Sequence, residues 1–326
     1  MSFSIVIPTY NRPDKLLKVL NSLDNQQNHY VQILVIDNCS DTNVEEFLKF
    51  HSFKSLNLKI LRNSGNVGLG GNILMAFLQC QTKWMWLLGD DDIPLSGAVD
   101  KVQNALKFIQ EDIFALKFNS HAGGFPGKND FFDVIDRLNC LSYLSNISYY
   151  SNFLFISNSI YNVELFRKFT FHMANGLRTI APHVLASLNL LEDNKKIKLI
   201  DDFIIHHGRL EKGEANWSSA RLISGVTYLY DSDIPDKFKQ EFIPILLNNY
   251  ISRGKKSTKN YLGFVLRNFE RVEGQYFLHK AAGIQKGWFS LKLQIIIQFF
   301  AIPGVYDFLR KILVKNKKNT LELLRN

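Results

Sequence analysis

The first 120 residues alternate short apolar segments with longer segments of helical periodicity. The apolar segments predict five strands, at Phe3–Pro8, Val31–Ile36, Leu58–Leu61, Trp84–Leu88 and Ile113–Phe118. Between the first two, Leu16, Leu20 and Leu23 recur at the spacing of one helix face. Thr42 followed by Glu45 resembles a capping box that opens a short helix, and a Gly-rich loop is expected before a helix over Ile73–Leu78. Strands that alternate with helices indicate βαβ units and a parallel sheet. The chain is therefore predicted to be an α/β protein.

Polar residues follow each of the first four predicted strands. The carboxyl ends of parallel strands share one edge of the sheet, and ligands bind beyond that edge. The residues at these strand ends are Thr9, Tyr10, Asn11 and Arg12; Asp37 and Asn38; Arg62, Asn66, Gly68 and Asn72; and Asp90, Asp91 and Asp92. They form the candidate binding site.

The three consecutive aspartates are the most informative of these residues. Adjacent carboxylates repel each other, so burying Asp90, Asp91 and Asp92 without a counter-charge is costly. Hard oxygen ligands at a strand end suit Mg²⁺ or Mn²⁺, which also binds substrate phosphates. The alternative is that these residues cap a helix that begins near Pro94.

Two further features allow a structural and a functional interpretation. Asp37 follows the second strand, where an aspartate either forms a turn or accepts hydrogen bonds from a base or ribose. The Gly- and Asn-rich segment Asn66–Asn72 is either a flexible turn or a close backbone approach to an anionic substrate. The Gly-rich fingerprint of dinucleotide-binding proteins does not follow the first strand, which disfavours that function.

Four segments together resemble family 2 glycosyltransferases of the GT-A fold. They are SIVIPTYNRPDKL (Ser4–Leu16), ILVIDNCSDT (Ile33–Thr42), NSGNVGLGGN (Asn63–Asn72) and WMWLLGDDDIPLSGAV (Trp84–Val99). The resemblance implies a Rossmann-like, mostly parallel central sheet flanked by helices. It also implies a nucleotide-sugar donor, most simply a UDP-sugar, a Mn²⁺ or Mg²⁺ cofactor, a glycan acceptor and inversion at the transferred sugar.

The resemblance also implies roles for individual residues. The nucleotide pocket would be lined by Thr9, Tyr10, Asn11 and Arg12, and the base or ribose would be contacted by Asp37 and Asn38. The residues that approach the donor would be Arg62, Asn66, Gly68 and Asn72. Asp90 would lie near the ribose, and the metal would be held by Asp91, Asp92 and His207. The chain departs from the family pattern at Asn38, where relatives often have a carboxylate, and in the run Gly89–Asp92.

The second half of the predicted catalytic domain should supply the general base. Relatives have acidic residues where this chain has His183, and an imidazole titrates near neutral pH. Another interpretation places His183 in the first turn of an amphipathic helix. The alternative bases are Glu192, Asp193, Asp201 and Asp202. Arg209 is expected to clamp a phosphate, and Trp217 either stacks on a sugar or packs internally.

The positive charge is concentrated at the C-terminal end. Residues 253–326 contain 15 Lys and Arg but 4 Asp and Glu, whereas the rest of the chain has a net charge of −2. Basic residues there alternate with aromatic ones, which favours an anionic membrane surface. A helical appendage that packs on the catalytic domain or forms a homodimer is the alternative. No nucleic-acid-binding module is recognisable.

The longest charge-free apolar stretch, Leu293–Tyr306, is shorter than the roughly 20 residues of a membrane span.

The predicted organisation is a catalytic domain over residues 1–220 and a basic, aromatic-rich helical segment over 221–326. The nucleotide-sugar half covers about 1–120 and the acceptor half about 121–220. Three widely spaced cysteines and an N-terminus without a basic leader favour a cytoplasmic protein on the inner face of a bacterial plasma membrane. Its acceptor would be a lipid-linked or surface polysaccharide or lipo-oligosaccharide precursor. A nucleotidyltransferase and a non-catalytic nucleotide-sugar-binding assembly protein are the alternatives.

Overall fold

The computed structural model describes residues 3–26, 30–120, 132–179, 181–208 and 219–313. The chain divides into an N-terminal unit, Met1–Asn216, and a C-terminal unit, Trp217–Asn326. This division lies close to residue 220, where the sequence predicts the change from alternating strands and helices to helices alone.

Ten strands are found in the described part of the N-terminal unit. They are β1 (Phe3–Thr9), β2 (Gln32–Asp37), β3 (Asn57–Arg62), β4 (Trp84–Leu87), β5 (Ile93–Pro94), β6 (Ile113–Asn119), β7 (Val134–Ile135), β8 (Ser159–Asn162), β9 (Lys196–Phe203) and β10 (Ile205–His206). Eight of them form one sheet in the order β3-β2-β1-β4-β8-β6-β9-β7, and β5 pairs with β10 in a second, two-stranded sheet.

The central sheet is mostly parallel. β1 pairs in parallel with β2 and β4, β2 with β3, and β6 with β9. β8 runs antiparallel between β4 and β6, and β7 is antiparallel to β9. The predicted α/β fold is therefore confirmed, and the five predicted strands are found as β1–β4 and β6. The short β8 was not predicted, because its sequence SIYN carries no apolar run.

Nine helices lie in the described part of this unit. They are α1 (Pro13–Asp24), α2 (Val44–Leu48), α3 (Gly68–Gln79), α4 (Ala98–Leu106), α5 (Cys140–Ser145), α6 (Ile147–Leu154), α7 (Val163–Arg167), α8 (Thr170–Asn175) and α9 (Pro182–Glu192). Every residue of β1 is buried, because the sheet is covered on both faces by such helices.

Two helix starts differ from the predictions. Asn43, rather than Thr42, caps α2: its side-chain oxygen accepts the backbone N–H groups of Glu45 and Glu46 at 2.9 and 3.2 Å. The Gly-rich segment, predicted as a loop, already forms the first turn of α3 from Gly68 onward. Gly68 opens this turn with a φ of +74°, a conformation that favours glycine.

The C-terminal unit is helical in its described residues, as predicted. Its helices are α10 (Ser219–Asp231), α11 (Ile243–Ser252), α12 (Thr258–Asn268), α13 (Arg271–Ile284), α14 (Trp288–Ala301) and α15 (Val305–Leu313), with a π-helical turn at Phe238–Phe242. Within the described residues no single helix is long and apolar enough to cross a bilayer; α14 and α15 satisfy that test only as a pair, bent by 104°.

Candidate functional site

The polar residues predicted to meet at one edge of the sheet follow strands that are direct neighbours. Thr9 pairs with Asp37 across β1 and β2, and Asp37 pairs with Arg62 across β2 and β3. β4 lies on the other side of β1 and leads into the three aspartates. The carboxyl ends of these four strands therefore bring Thr9, Asp37, Arg62 and the aspartates to the same edge.

Asp37 is buried and holds the turn that follows β2. Its Oδ1 accepts the backbone N–H of Ser40 at 2.9 Å, and its Oδ2 forms an ion pair with Arg62. Arg62 also donates to the carbonyl of Ser40 at 2.7 Å. Asp37 thus has the predicted turn-forming contact, while the side chain of Arg62 stays 33% exposed at the sheet edge. A ligand therefore meets the guanidinium before it meets the carboxylate.

A network of amide side chains ties the start of α3 to the end of β2. Asn38 donates to Asn66 Oδ1 at 2.8 Å, and its own Oδ1 accepts the backbone N–H of Val67 at 3.0 Å. Asn72 donates to the Ile36 carbonyl at 3.1 Å. Asn63 bridges Asn38 and Asn72 at 3.1 Å each. These amides are used internally, so the network fixes the shape of the edge.

The last residue of β1 and the N-cap residue of α1 contact the aspartates directly. Thr9 Oγ1 donates to Asp90 Oδ2 at 2.7 Å. Arg12 Nη1 lies 3.0 Å from Asp91 Oδ2 and 3.4 Å from Asp90 Oδ1. The Arg12 guanidinium is therefore a counter-charge of this acidic cluster. It also occupies the place where the sequence predicts a nucleotide contact.

Tyr10 and Asn11 lie beside this contact. Tyr10 is 41% exposed. Asn11 has a φ of +55°, donates from its side chain to Asp41 at 2.9 Å, and accepts the Asp41 backbone N–H at 2.8 Å. Asn11 therefore joins the loop after β1 to the loop after β2, and Tyr10 presents an aromatic ring at the same edge.

Asp92 turns into the protein and meets residues from two distant segments. Its Oδ2 accepts a hydrogen bond of 2.5 Å from Ser157 Oγ. Its Oδ1 lies 3.0 Å from both His207 Nδ1 and the backbone nitrogen of Gly208. The antiparallel pairing of β5 with β10 brings His207 and Gly208 there. Asp92 and His207, both predicted as metal ligands, are thus in direct contact with each other.

Gly208 approaches the backbone of the acidic cluster very closely. A Cβ atom added to Gly208 would lie 2.0 Å from the Asp91 carbonyl oxygen. No larger residue fits there without moving the chain, so the short Gly208 contact fixes the loop after β10 against Asp91 and Asp92.

Ser157 and Lys117 are site residues that sequence reasoning missed. Ser157 Oγ also accepts the Gly89 backbone N–H at 2.9 Å. The fully buried Lys117 holds the neighbouring chain, because its Nζ lies within hydrogen-bonding distance, 2.6–3.2 Å, of four oxygens, those of Phe153, Phe155, Asn158 and Ser159. The charge of Lys117 inside an apolar strand was the available signal. Ser157 follows no motif.

Burial and repulsion between neighbouring carboxylates disfavour negative charge in the acidic cluster, although Arg12 lies beside it. Burial raises the pKa of Asp90 to about 6, although Thr9 and Arg12 oppose this shift. Burial and the neighbouring Asp92 raise the pKa of Asp91. The hydrogen bond with Asp92 raises the pKa of His207. These directions show that the site favours additional positive charge.

A divalent cation fits the chemistry of this cluster. No group of three or more His, Cys, Asp and Glu side chains in the described residues is arranged to hold a metal by itself. Mg²⁺ binds typically through one or two carboxylates together with substrate phosphates and water, which three adjacent aspartates can supply. Arg12 donates to Oδ2 of Asp91, so Oδ1 of Asp91 is the carboxylate oxygen that remains for a metal ion. Both oxygens of Asp92 are already hydrogen-bonded.

His183 is not suited to the predicted role of general base. It lies in the first turn of α9, fully buried, with Nε2 3.1 Å from the Leu154 carbonyl oxygen. Burial, and then the charge of Lys117, lower the pKa of His183 to about 3. None of its hydrogen bonds reaches the acidic cluster. The structure therefore fits the interpretation of His183 as a buried helix residue. It argues against the predicted role of His183 as the general base.

The alternative bases are mostly engaged elsewhere. Glu192 pairs with Arg137 at 2.7 Å, Asp202 with Lys101 at 2.6 Å, and Asp201 accepts from Asn119. Arg209 and Trp217 lie outside the described residues, so their predicted roles stay predictions.

The family model for glycosyl transferase family 2 matches residues 4–169, which include β1–β4 and the whole acidic cluster. The chain belongs to glycosyl transferase family 2. The matched residues cover half of the chain and include the ends of β1–β4, but not the end of β10 with His207 and Gly208.

Similar proteins agree with this membership. An abequosyltransferase of Salmonella typhimurium is 33% identical over 118 residues, 35% of each chain. The poly(ribitol-phosphate) β-N-acetylglucosaminyltransferase TarS of Staphylococcus aureus is 23% identical over 271 residues, 77% of this chain and 44% of TarS. The chain thus spans about a third to under half of these relatives.

The solved structures show the fold. A TarS fragment in complex with UDP-GlcNAc has a TM-score of 0.61 and 16% identity, covering 98% of this chain and 92% of the fragment. The same fragment with UDP has a TM-score of 0.59. The likeness confirms the GT-A fold with C-terminal helices that the sequence resemblance implies.

Proposed function

We propose that this chain is a glycosyltransferase that moves a sugar from a UDP-sugar to a glycan acceptor. The observation that carries the proposal is the convergence of two charged groups at one sheet edge. The Arg62–Asp37 pair lies at the ends of β2 and β3, and the Asp90–Asp92 cluster follows β4. A nucleoside diphosphate sugar needs a polar site for its nucleoside, which the Arg62–Asp37 pair offers. It also needs a cation beside its diphosphate, and the aspartates can hold one.

The nucleoside is proposed to bind over β1–β3. Arg62 offers a partly exposed guanidinium, and Tyr10 offers an exposed ring on which a base can stack. The amide network around Asn38 keeps this surface rigid, so little conformational entropy is lost on binding. The UDP-GlcNAc and UDP complexes of the TarS fragment support uridine as the nucleoside.

The diphosphate is proposed to bind beside the aspartates. Asp91 and Asp92 are the candidate metal ligands, and a bound Mn²⁺ or Mg²⁺ would stabilise the negative charge that develops on the leaving diphosphate. Arg12 lies against Asp90 and Asp91 and can turn its guanidinium to a phosphate. The hydrogen bond with Asp92 raises the pKa of His207, which favours the protonated imidazole beside the proposed diphosphate site.

The transfer is proposed to be a single displacement with inversion. The acceptor hydroxyl attacks the anomeric carbon, the bond from that carbon to the diphosphate oxygen breaks, and a general base takes the hydroxyl proton. The names of the abequosyltransferase and of TarS support a bacterial surface glycan, or its lipid-linked precursor, as the acceptor.

A donor panel tests this function. Thermal stability is measured with UDP-, GDP-, CDP- and dTDP-sugars, each with and without Mn²⁺, because a ligand of the folded state raises stability by mass action. We expect a metal-dependent rise with UDP-sugars that Asp91→Asn removes. The exposed carboxylate Glu111 provides a matched control, and Glu111→Gln should keep the rise.

Product analysis of the same mixtures distinguishes the alternatives. Released UDP together with free or transferred sugar supports a glycosyltransferase. Binding without turnover in the presence of metal and a panel of glycan acceptors favours a nucleotide-sugar-binding assembly protein. Pyrophosphate formation from UTP and a sugar phosphate would identify a nucleotidyltransferase. Either of the last two results contradicts the proposal.

A further inference from the structure

Helix α14 carries a continuous apolar stripe on its exposed side. Five large side chains, Trp288, Leu291, Ile295, Phe299 and Ile302, are 80%, 43%, 48%, 57% and 49% exposed. Trp288, Leu291, Ile295 and Phe299 are spaced by three and four residues, which places them on one face of the helix, and Ile302 is the C-cap residue that follows it. Exposed apolar residues are common singly, but an aligned row of four with a fifth at its end marks an interaction surface. We refer to these five residues as the α14 stripe.

The opposite face of α14 is already packed in the C-terminal unit. Phe289 meets Tyr261 edge to face at 5.3 Å, Leu293 is fully buried, and Phe300 meets Tyr306 at 4.8 Å. The core-facing side of the amphipathic helix is therefore accounted for. The α14 stripe is a second apolar face that the packing of this unit does not use.

Helix α15 continues the apolar exposure beyond the bend. Phe308 and Ile312 are 64% and 45% exposed. The bend of 104° between α14 and α15 still allows both helices to lie flat on one surface, because helices in one plane can cross at any angle. The two helices together offer apolar side chains along an L-shaped path.

The charge around this surface is positive. α14 contains no acidic residue, and Lys286, Lys292 and Lys311 are exposed without an ion pair among the described residues. Arg310 is paired with Glu270, and Asp307 is the one acidic residue of α15. The unpaired lysines therefore set the sign of the potential beside the stripe.

We propose that the α14 stripe and α15 lie in the headgroup region of an anionic lipid bilayer, with their apolar side chains at the acyl boundary and Lys286, Lys292 and Lys311 among the lipid phosphates. Trp and Phe on an amphipathic helix with flanking lysines are the side chains that such an interface takes. This proposal does not depend on the proposed transferase activity.

A second copy of the chain fits this face less well. A two-fold interface brings the same patch of both copies together. Because α14 has no acidic residue, the lysines beside the two stripes would face each other without a partner. Anionic lipid satisfies both the apolar row and the lysines.

Vesicle co-sedimentation of the full chain tests the proposal. Vesicles of phosphatidylcholine alone are compared with vesicles containing phosphatidylglycerol. The apolar variant is Leu291→Gln/Ile295→Gln/Phe299→Gln, in which glutamine keeps the helix propensity. Its control is Phe50→Gln/Phe108→Gln, which changes side chains that are 89% and 88% exposed in the N-terminal unit.

A charge variant tests the lysines separately. Lys286→Gln/Lys292→Gln/Lys311→Gln is compared with Lys255→Gln/Lys256→Gln, two exposed lysines outside α14 and α15. Each lysine near an anionic surface is worth about fivefold in binding. We therefore expect the triple variant to lose more than about tenfold on anionic vesicles and to bind phosphatidylcholine as the unchanged chain does.

The expected results separate the lipid from a second copy. The unchanged chain should bind anionic vesicles, and the apolar variant should bind them at least about tenfold more weakly, with both controls unaffected. Brominated lipid should quench the fluorescence of the unchanged chain more than that of Trp288→Phe. Equal binding by the apolar variant, or no quenching assigned to Trp288, overturns the proposal. A dimer in sedimentation velocity that only the apolar variant dissociates, with unchanged vesicle binding, also overturns it.

Discussion

Replacing His183 by glutamine removes an imidazole that the folded chain keeps neutral. The pKa of His183 falls from 6.5 to about 3 because the ring is buried and faces the charge of Lys117. Glutamine can still donate to the Leu154 carbonyl oxygen, which lies 3.1 Å from Nε2. The substitution therefore removes the titration while it preserves the main polar contact.

The sign of the effect follows from proton binding. Below pH 6.5 the unfolded chain takes up a proton on His183 that the folded chain does not take up until about pH 3. The unfolded state then binds more protons, so the free energy of unfolding falls as the pH falls. At about 1.4 kcal/mol per pH unit, the imidazole should cost about 2 kcal/mol between pH 7 and pH 5. A folded pKa one unit higher changes this figure little, because the interval lies above it.

Urea denaturation of the unchanged chain and of His183→Gln, at pH 7 and at pH 5, measures this effect. Other groups also titrate, so the relevant quantity is the difference between the two proteins at each pH. We expect that difference to shift by about 2 kcal/mol in favour of the variant at pH 5. A difference that is the same at both pH values would refute the assignment of a buried, neutral His183. Retention of transferase turnover by the variant would exclude His183 as the base.

Three further substitutions test the site. Arg62→Met should cost about 2 kcal/mol in urea denaturation and weaken nucleotide binding, because it leaves a buried carboxylate without its ion pair; Lys59→Met on the same strand should do neither. Lys117→Met should cost about 3 kcal/mol, because the buried oxygens around Nζ lose a shared donor, and an unchanged midpoint would refute that role. Gly208→Ala should lower turnover at least about tenfold, because the added Cβ displaces Gly208 from the acidic cluster. Gly65→Ala should not lower turnover, because a Cβ atom at Gly65 would have nothing within 4 Å.

The fold of the N-terminal unit was largely predictable from local patterns. Buried parallel strands are continuous apolar runs, as in β1 and β2, and their ends differ from the predicted ones by a residue or two. β8 was not predictable in this way, because an antiparallel strand inserted between β4 and β6 depends on tertiary pairing. The cap of α2 was misplaced by one residue because Thr42 and Asn43 both suit the position.

The candidate site was predictable where residues follow strands of known order. Thr9, Asp37, Arg62 and the aspartates meet because adjacent parallel strands end at one edge. Ser157 could not be found from sequence, because the hydrogen bond between Ser157 and Asp92 joins positions 65 residues apart. His183 was predicted as a base because its position in the sequence resembles that of a base, whereas its burial depends on the packing of α9 and could not be predicted.

The binding of UDP in the presence of Mn²⁺ tests the central claim most directly. Isothermal titration calorimetry compares the unchanged chain with Asp91→Asn and with the control Glu111→Gln. We expect metal-dependent UDP binding in the unchanged chain and the control, weakened at least about tenfold in Asp91→Asn. Equal UDP affinity in all three proteins, or affinity that does not change when Mn²⁺ is chelated, would contradict a nucleotide-sugar site built on the aspartate cluster after β4.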